Sequence, residues 1–150
     1  MITISIKDLN HLNDEESDFI FGHELGHADF FEKFPYNKYI SHSIPLISLS
    51  FLNKKTIIFA PLIFGINVLN NLIQEFYADL FSVQFFTCGK NKNTSFLDKV
   101  KDQEKTLINH FKQNDKFVHP SPEYRKYVIN NFDLNQNLTI LNIFKSILNI

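Results

Sequence analysis

Residues 21–35 read FGHELGHADFFEKFP and contain two histidines, His23 and His27, four positions apart. Side chains four residues apart on an α-helix lie one above the other on the same face, so both imidazoles can reach one metal ion. Glu24 lies about 100° around the helix, where its carboxylate can accept a proton from a water that the ion activates. This pattern is typical of zinc-dependent hydrolases. A helix that carries two histidines by chance is the simpler alternative.

The ends of this helix are also visible in the sequence. Asn13 and Glu16 have the spacing of a capping box, in which each side chain accepts a hydrogen bond from the backbone N–H of the other residue. Pro35 cannot continue a helix, because it has no N–H and its ring clashes with the preceding turn. We therefore predict a helix from about Asp14 to Phe34.

A catalytic zinc site needs a third protein ligand and an open fourth position. A second helix is predicted from about Asn67 to Thr87, and its segment QEFYAD places Glu75 and Asp79 four positions apart on one face. We predict that Glu75 is the third ligand and that Asp79 holds a ligand imidazole in its correct tautomer. A solvated face is the alternative, but this helix is apolar on most sides, and acids on a buried helix need a partner. The other candidate ligands are carboxylates on other elements and the remaining histidines: His11, His42, His110 and His119.

Small residues occur on both of these helices. Gly22 and Gly26 are four positions apart on the first helix, and Ala78 lies on or near the acidic face of the second. Because none of these residues has a side chain larger than a methyl group, we expect the two helices to approach each other closely. A close approach would bring the histidines and the acids together.

Outside these two helices the sequence predicts one strand and three further helices. Residues 2–6 alternate between apolar and polar side chains, as in a half-buried strand. The first of these helices begins at Ser95. The second extends from Pro122 to about Phe132, and the third extends from about Leu138 to Asn149. A chain of 150 residues is long enough for one core, so we predict a single domain over residues 1–150, α+β in class but mostly α-helical.

The composition excludes several classes of protein. The net charge is −1, which predicts no nucleic-acid partner, because such partners are bound through clustered positive charge. Cys88 is the single cysteine, which excludes a disulfide framework and a cysteine-based zinc site. The first residues, MITISIKDLN, contain no apolar signal core behind a basic start. We therefore expect a cytoplasmic protein.

Residues 44–69 form an apolar stretch that is interrupted by Pro45 and Pro61. A helix that spans a bilayer needs roughly 20 continuous apolar residues, and neither part of this stretch reaches that length. We therefore predict an apolar helical insertion over residues 44–69 instead of a membrane span. Peripheral association with a membrane through this segment is the less favoured alternative.

Three sequence elements occur in a specific order and spacing. They are His23-Glu-Leu-Gly-His27, then Glu75-x-x-Ala-Asp79, then His119-Pro followed by Arg125. Together they resemble the gluzincin zinc metallopeptidases of the HtpX, Oma-type and CAAX prenyl endopeptidase group, which includes the small soluble minigluzincins. The resemblance spans about residues 2–130. It implies a zincin-like core, with the HExxH motif on an active-site helix and a short N-terminal edge strand.

The resemblance also implies an activity. Members of this group are endopeptidases that hydrolyse peptide bonds, and here one Zn²⁺ per chain would be bound by His23, His27 and Glu75. Glu24 would act as general base for the attacking water and then as proton donor to the leaving amine. The partner that this activity implies is a peptide or protein substrate.

Further roles depend on the resemblance alone. His119 would act with the zinc ion to stabilise the oxyanion of the reaction intermediate, and Arg125 would organise the cleft near the metal. The N-terminal strand would be the sheet edge along which the substrate lies, with Ile4 and Ser5 pairing with the substrate backbone. Ordinary surface positions are the alternative for His119 and Arg125.

Two alternatives to a general endopeptidase stay open. One is a regulatory metallopeptidase that cuts one specific protein partner, which a panel of unstructured substrates compared with candidate partners would distinguish. The other is a non-enzymatic, zinc-stabilised interaction module. Zinc bound without turnover, together with a dispensable Glu24, would indicate the second alternative.

Overall fold

The computed structural model describes residues 13–37, 60–86, 97 and 120–150. These residues form four α-helices: α1 (Asp14–Lys33), α2 (Ala60–Phe85), α3 (Pro122–Asn131) and α4 (Ile140–Leu148). They contain no strand, so the prediction of a mostly helical protein is confirmed for this part of the chain. The predicted edge strand at residues 2–6, the start of the 44–69 insertion and most of the predicted helix from Ser95 lie outside the described residues.

Helix α1 begins where its capping box predicts. The side chain of Asn13 accepts a hydrogen bond from the backbone N–H of Glu16 at 2.8 Å, and the side chain of Glu16 accepts one from the backbone N–H of Asn13 at 3.0 Å. The helix ends at Lys33, one residue before the predicted end, and Pro35 follows outside it. Acidic residues in the first turn and Lys33 in the last turn complement the helix dipole.

Helix α2 begins earlier than predicted, at Ala60 instead of about Asn67. Pro61 is the second residue of the helix, where a missing N–H costs nothing because the first four N–H groups have no partner within the helix. Residues 60–69, the last part of the predicted 44–69 insertion, therefore belong to the same helix as Glu75. Among the described helices, none has the length and apolar character needed to cross a membrane.

Helices α1 and α2 are antiparallel and in close contact. A Cβ atom built on Gly26 would lie 2.7 Å from the Cα of Ala78, and one on Gly22 would lie 2.7 Å from the Oγ of Ser82. Ser82 also donates a hydrogen bond across the interface to the backbone carbonyl of Phe19, at 2.7 Å. The predicted close approach through small residues is confirmed.

The close contact predicts opposite effects of the same substitution at two helical glycines. In Gly26→Ala the new methyl group would overlap backbone atoms of Ala78 that cannot move aside, so we expect a loss of about 1–3 kcal/mol of unfolding free energy. Gly65→Ala is the matched control, because Gly65 is exposed on α2 and nothing lies within 4 Å of its added Cβ. That variant should gain about 0.5–1 kcal/mol from the better helix propensity of alanine. Urea unfolding of both variants measures the difference, and equal effects at the two positions would contradict the close contact.

Helices α3 and α4 both contact α2. Ser121 caps α3 with Pro122 in the first turn, as predicted, and Thr139 caps α4. The buried core joins the four helices and also includes Leu97. Its largest fully buried apolar side chains are Tyr77, Phe19, Phe30, Phe76, Phe132, Leu80, Leu97, Ile129 and Ile143. This packing holds the middle of α2 against α1 on one side and α3 on the other.

Candidate metal centre

Three of the predicted ligands converge between α1 and α2. The Nε2 atoms of His23 and His27 lie 3.1 Å apart. Nε2 of His23 lies 3.7 Å from Oε2 of Glu75, and Nε2 of His27 lies 3.5 Å from Oε1 of the same carboxylate. One ligand atom from each residue lies within 4.8 Å of the others, so the three residues could hold a metal ion.

The spacing of these atoms suits a small tetrahedral ion. Zinc lies about 2.0–2.2 Å from nitrogen and oxygen ligands, which places neighbouring ligand atoms of a tetrahedral site roughly 3.4 Å apart. The separation of 3.1 Å between the two Nε2 atoms lies near this value, and each Nε2 atom lies 3.5 or 3.7 Å from a different oxygen of Glu75. The Glu75 side chain is 9% exposed, and those of His23 and His27 are 14% and 24% exposed, so the cluster is shielded but not sealed.

Asp79 fixes the tautomer of His23. Its Oδ1 lies 2.8 Å from Nδ1 of His23, so the ring proton is on Nδ1, which donates to the carboxylate. The lone pair of Nε2 then points toward His27 and Glu75, in the direction of the other ligand atoms. Two imidazole nitrogens 3.1 Å apart need a proton or a cation between them, because two facing lone pairs repel.

His27 has the protonation state that a metal ion requires. Burial and the neighbouring His23 lower the pKa of His27 below its ordinary value, while Glu75 and Glu24 act in the opposite direction. A lowered pKa keeps the imidazole neutral near pH 7, and a neutral imidazole is the form that binds metals.

Arg125 holds the carboxylate of Asp79 together with His23. Its Nε donates to Oδ2 of Asp79 at 2.7 Å and its Nη2 donates to Oδ1 at 2.5 Å, and both residues are buried. Burial alone would raise the pKa of Asp79, but the Arg125 guanidinium and the hydrogen bonds from Arg125 and His23 outweigh burial and lower it to about 2. Asp79 is therefore an anion, and the chain Arg125–Asp79–His23 orients the first predicted ligand.

The structure places some of the predicted site residues and leaves others outside the described range. Glu24 is half-buried on α1, and its charge is close enough to influence His27. Arg125, for which a surface position was the alternative, is buried against Asp79. The predicted site residues that lie outside the described range are Ile4, Ser5 and His119. The other histidines weighed as third ligands, His11, His42 and His110, also lie outside it.

A second polar cluster, which was not predicted from the sequence, lies between α1 and α2. The hydroxyl of the fully buried Tyr77 donates to Asp29 and accepts from Nζ of Lys33 at 3.0 Å, and Nζ of Lys33 lies 2.9 Å from Oδ2 of Asp29. Burial and the bond to Asp29 raise the pKa of Tyr77 to about 12, so its hydroxyl keeps its proton. The i, i+4 spacing of Asp29 and Lys33 was the available signal, but nothing in the sequence indicated Tyr77 as their partner.

Neither a known protein family nor any curated protein or solved structure matches this chain. The chemistry of the site is therefore inferred from its own residues. Two imidazoles and one carboxylate, with a further carboxylate behind one imidazole, make a donor set that suits a divalent transition metal with an open coordination position.

Proposed function

We propose that this protein is a zinc-dependent endopeptidase of the gluzincin type, related to the HtpX, Oma-type and CAAX prenyl endopeptidase group. The observation that carries the proposal is the convergence of His23, His27 and Glu75 from two helices, within 4.8 Å, with Glu24 beside them on α1. The proposal includes the finer fold that the resemblance implies, a zincin-like core with an edge strand before α1.

Zinc is the metal that this donor set suits best. Two histidines and one glutamate form a ligand set known from catalytic zinc sites, and such sites keep a fourth position for water or substrate. When bound, zinc would supply a Lewis acid that polarises water and the peptide carbonyl. We propose one Zn²⁺ per chain.

Glu24 is the residue that moves protons in this proposal. It follows His23 directly in the sequence, and it is half-buried with its charge felt at His27. A carboxylate in that place can take a proton from the attacking water and pass it to the leaving amine. Asp79 and Arg125 do not touch the reacting atoms; they hold the His23 ring so that Nε2 faces the cluster.

The remaining predicted roles concern residues outside the described range. His119 would stabilise the oxyanion together with the zinc ion, and Ile4 and Ser5 would pair with the backbone of a peptide or protein substrate. The proposed location of the protein is the cytoplasm.

A catalytic centre explains the cluster better than a purely structural zinc site does. Structural zinc sites are closed by four protein ligands, most of them cysteines. Among the described residues three donors converge, two of them on side chains that are partly exposed to solvent. A regulatory metallopeptidase with one protein partner would use the same centre and remains the second candidate.

Glu75→Ala tests the ligand assignment. The parent protein should contain about one zinc per chain, and the variant should lose most of it, because two ligands hold the ion far less well than three. Glu32→Ala is the control, since Glu32 is an exposed glutamate on α1 that is not part of the cluster. Elemental analysis after desalting measures the metal, and equal zinc in Glu75→Ala and the parent would exclude Glu75 as a ligand.

Cleavage of a denatured protein by the parent tests the activity itself. We expect cleavage that stops when a chelator removes the metal and returns when Zn²⁺ is added. Zinc binding without cleavage of any denatured or folded substrate would instead support the interaction module.

A further inference from the structure

The metal ligands come from two helices, so the site depends on how α1 and α2 are aligned along their axes. His23 and His27 lie on α1, and Glu75 lies on α2. A slip of one residue moves a helix by about 1.5 Å along its axis. Metal–ligand distances tolerate only about 0.2 Å, so a slip far smaller than one residue would already weaken binding.

The contact between Gly26 and Ala78 sets the distance between the two helices better than it sets their alignment along the axes. Gly26 touches the backbone of Ala78 directly, with no side chain between them. Helices usually resist sliding because ridges of side chains on one helix lie in grooves of the other. A glycine against an alanine offers almost no ridge, so this contact leaves the alignment to its neighbours.

The polar cluster of Asp29, Lys33 and Tyr77 lies beside this contact. Tyr77 lies between Glu75 and Asp79 in the sequence, and Asp29 is two positions after His27. The hydroxyl of Tyr77 bonds to both α1 residues, and Lys33 closes the triangle by its ion pair with Asp29. Hydrogen bonds weaken steeply when their length or angle changes, so sliding in either direction would break this triangle.

Aromatic packing holds the Tyr77 ring in place on the α1 side. The ring meets Phe30 edge-on at a centroid distance of 5.2 Å and Phe34 at 6.1 Å. With the ring held by these contacts, the hydroxyl can satisfy both Asp29 and Lys33 in one alignment of the helices. This is the alignment in which Glu75 faces His23 and His27.

We infer that Asp29, Tyr77 and Lys33 form a register lock, which holds Glu75 opposite His23 and His27 and so raises the affinity of the site for its metal. The inference rests on the proposed function, because it takes these three residues to be the metal ligands. The residues of the register lock are positioning residues that act through Glu75.

Metal titration of Tyr77→Phe tests the register lock. The variant keeps the aromatic ring in its packing and removes only the hydroxyl. We expect the Kd for Co²⁺, and for Zn²⁺ in competition with a chelator, to rise roughly tenfold, the lower end of the effect of removing a partner that orients a metal ligand. The visible absorption of bound Co²⁺ should also change, because it reports the geometry of the ligands. Lys33→Gln, at a half-exposed position, should change both quantities in the same direction but less.

A matched control distinguishes an effect on the alignment of α1 and α2 from an effect on the overall stability of the protein. Ile143→Val removes one methylene from the buried core on α4 and leaves the register lock and the ligands intact. Both Ile143→Val and Tyr77→Phe should lower the Tm, but only Tyr77→Phe should change the Kd and the Co²⁺ spectrum.

The outcomes distinguish the register lock from the proposed function. If the parent binds metal and Tyr77→Phe binds it with a Kd within twofold of the parent, the register lock is wrong and the proposed function stands. An equal rise of Kd in Ile143→Val would also overturn the register lock, because affinity would then follow stability. A parent that binds neither Co²⁺ nor Zn²⁺ overturns both proposals.

Discussion

Glu24→Gln is expected to lower the rate of peptide hydrolysis by about 10² or more while the zinc content stays at the parent level. Glutamine keeps the size and shape of the side chain but cannot accept the proton of the attacking water. The three ligands, His23, His27 and Glu75, are unchanged, so the metal should remain bound. The loss should appear in kcat, because the proton moves in the transition state and not when the substrate binds.

A second glutamate on the same helix provides the control for this experiment. Glu32→Gln removes the same charge from an exposed position on α1, and it should cleave at the parent rate. A Glu24→Gln variant that also cleaves at the parent rate would refute the proposed role of Glu24. Loss of zinc from Glu24→Gln would mean that Glu24 belongs to the ligand set.

Arg125→Leu is expected to lower the unfolding free energy by about 3–5 kcal/mol, the cost of leaving a buried charge without its partner. Asp79 is fully buried and bonded through both carboxylate oxygens to Arg125. Arg125 is the single arginine in a chain with 15 lysines and arginines. It occupies the position that needs the planar two-pronged donor that lysine lacks, so Arg125→Lys should lose part of the stability, but less than Arg125→Leu.

The effect of Arg125→Leu on the unfolding free energy should depend on pH. The folded pKa of Asp79, about 2, is below its ordinary value of 3.8, so its contribution is complete above about pH 4 and is lost as the pH falls toward 2. In Arg125→Leu the same carboxylate is buried without a cation, its pKa rises, and protonation on acidification relieves the buried charge. The difference in stability between parent and variant should therefore shrink between pH 7 and pH 3. Denaturant unfolding with a chelator present measures it, and a difference that does not change with pH would mean that Arg125 acts by packing alone.

The ends of α1 could be predicted because their causes are local. The reciprocal bonds of Asn13 and Glu16 involve residues three positions apart, and Pro35 acts on the turn directly before it. The start of α2 could not be predicted in the same way. A proline inside an apolar stretch either breaks a helix or begins one, and the residues around Pro61 do not distinguish the two cases.

In the candidate site, too, the features with local causes could be predicted from the sequence. The sequence was sufficient to place His23 above His27, because the α-helix has one geometry and residues four apart share a face. The same rule paired Glu75 with Asp79, and it indicated Gly22, Gly26 and Ala78 as the small residues of a close contact. The roles of His119, Ile4 and Ser5 stay predictions that depend on the resemblance.

The sequence by itself determined which side chains share a helix face, because that follows from the repeat of one helix. The tertiary structure alone decided which faces meet: that Glu75 faces the two histidines, that Arg125 is buried against Asp79, and that Tyr77 bonds to Asp29. Residues that lie 46 to 52 positions apart in the sequence form these contacts. The alignment of two packed helices results from many weak contacts acting together, and no local pattern in either helix contains that sum.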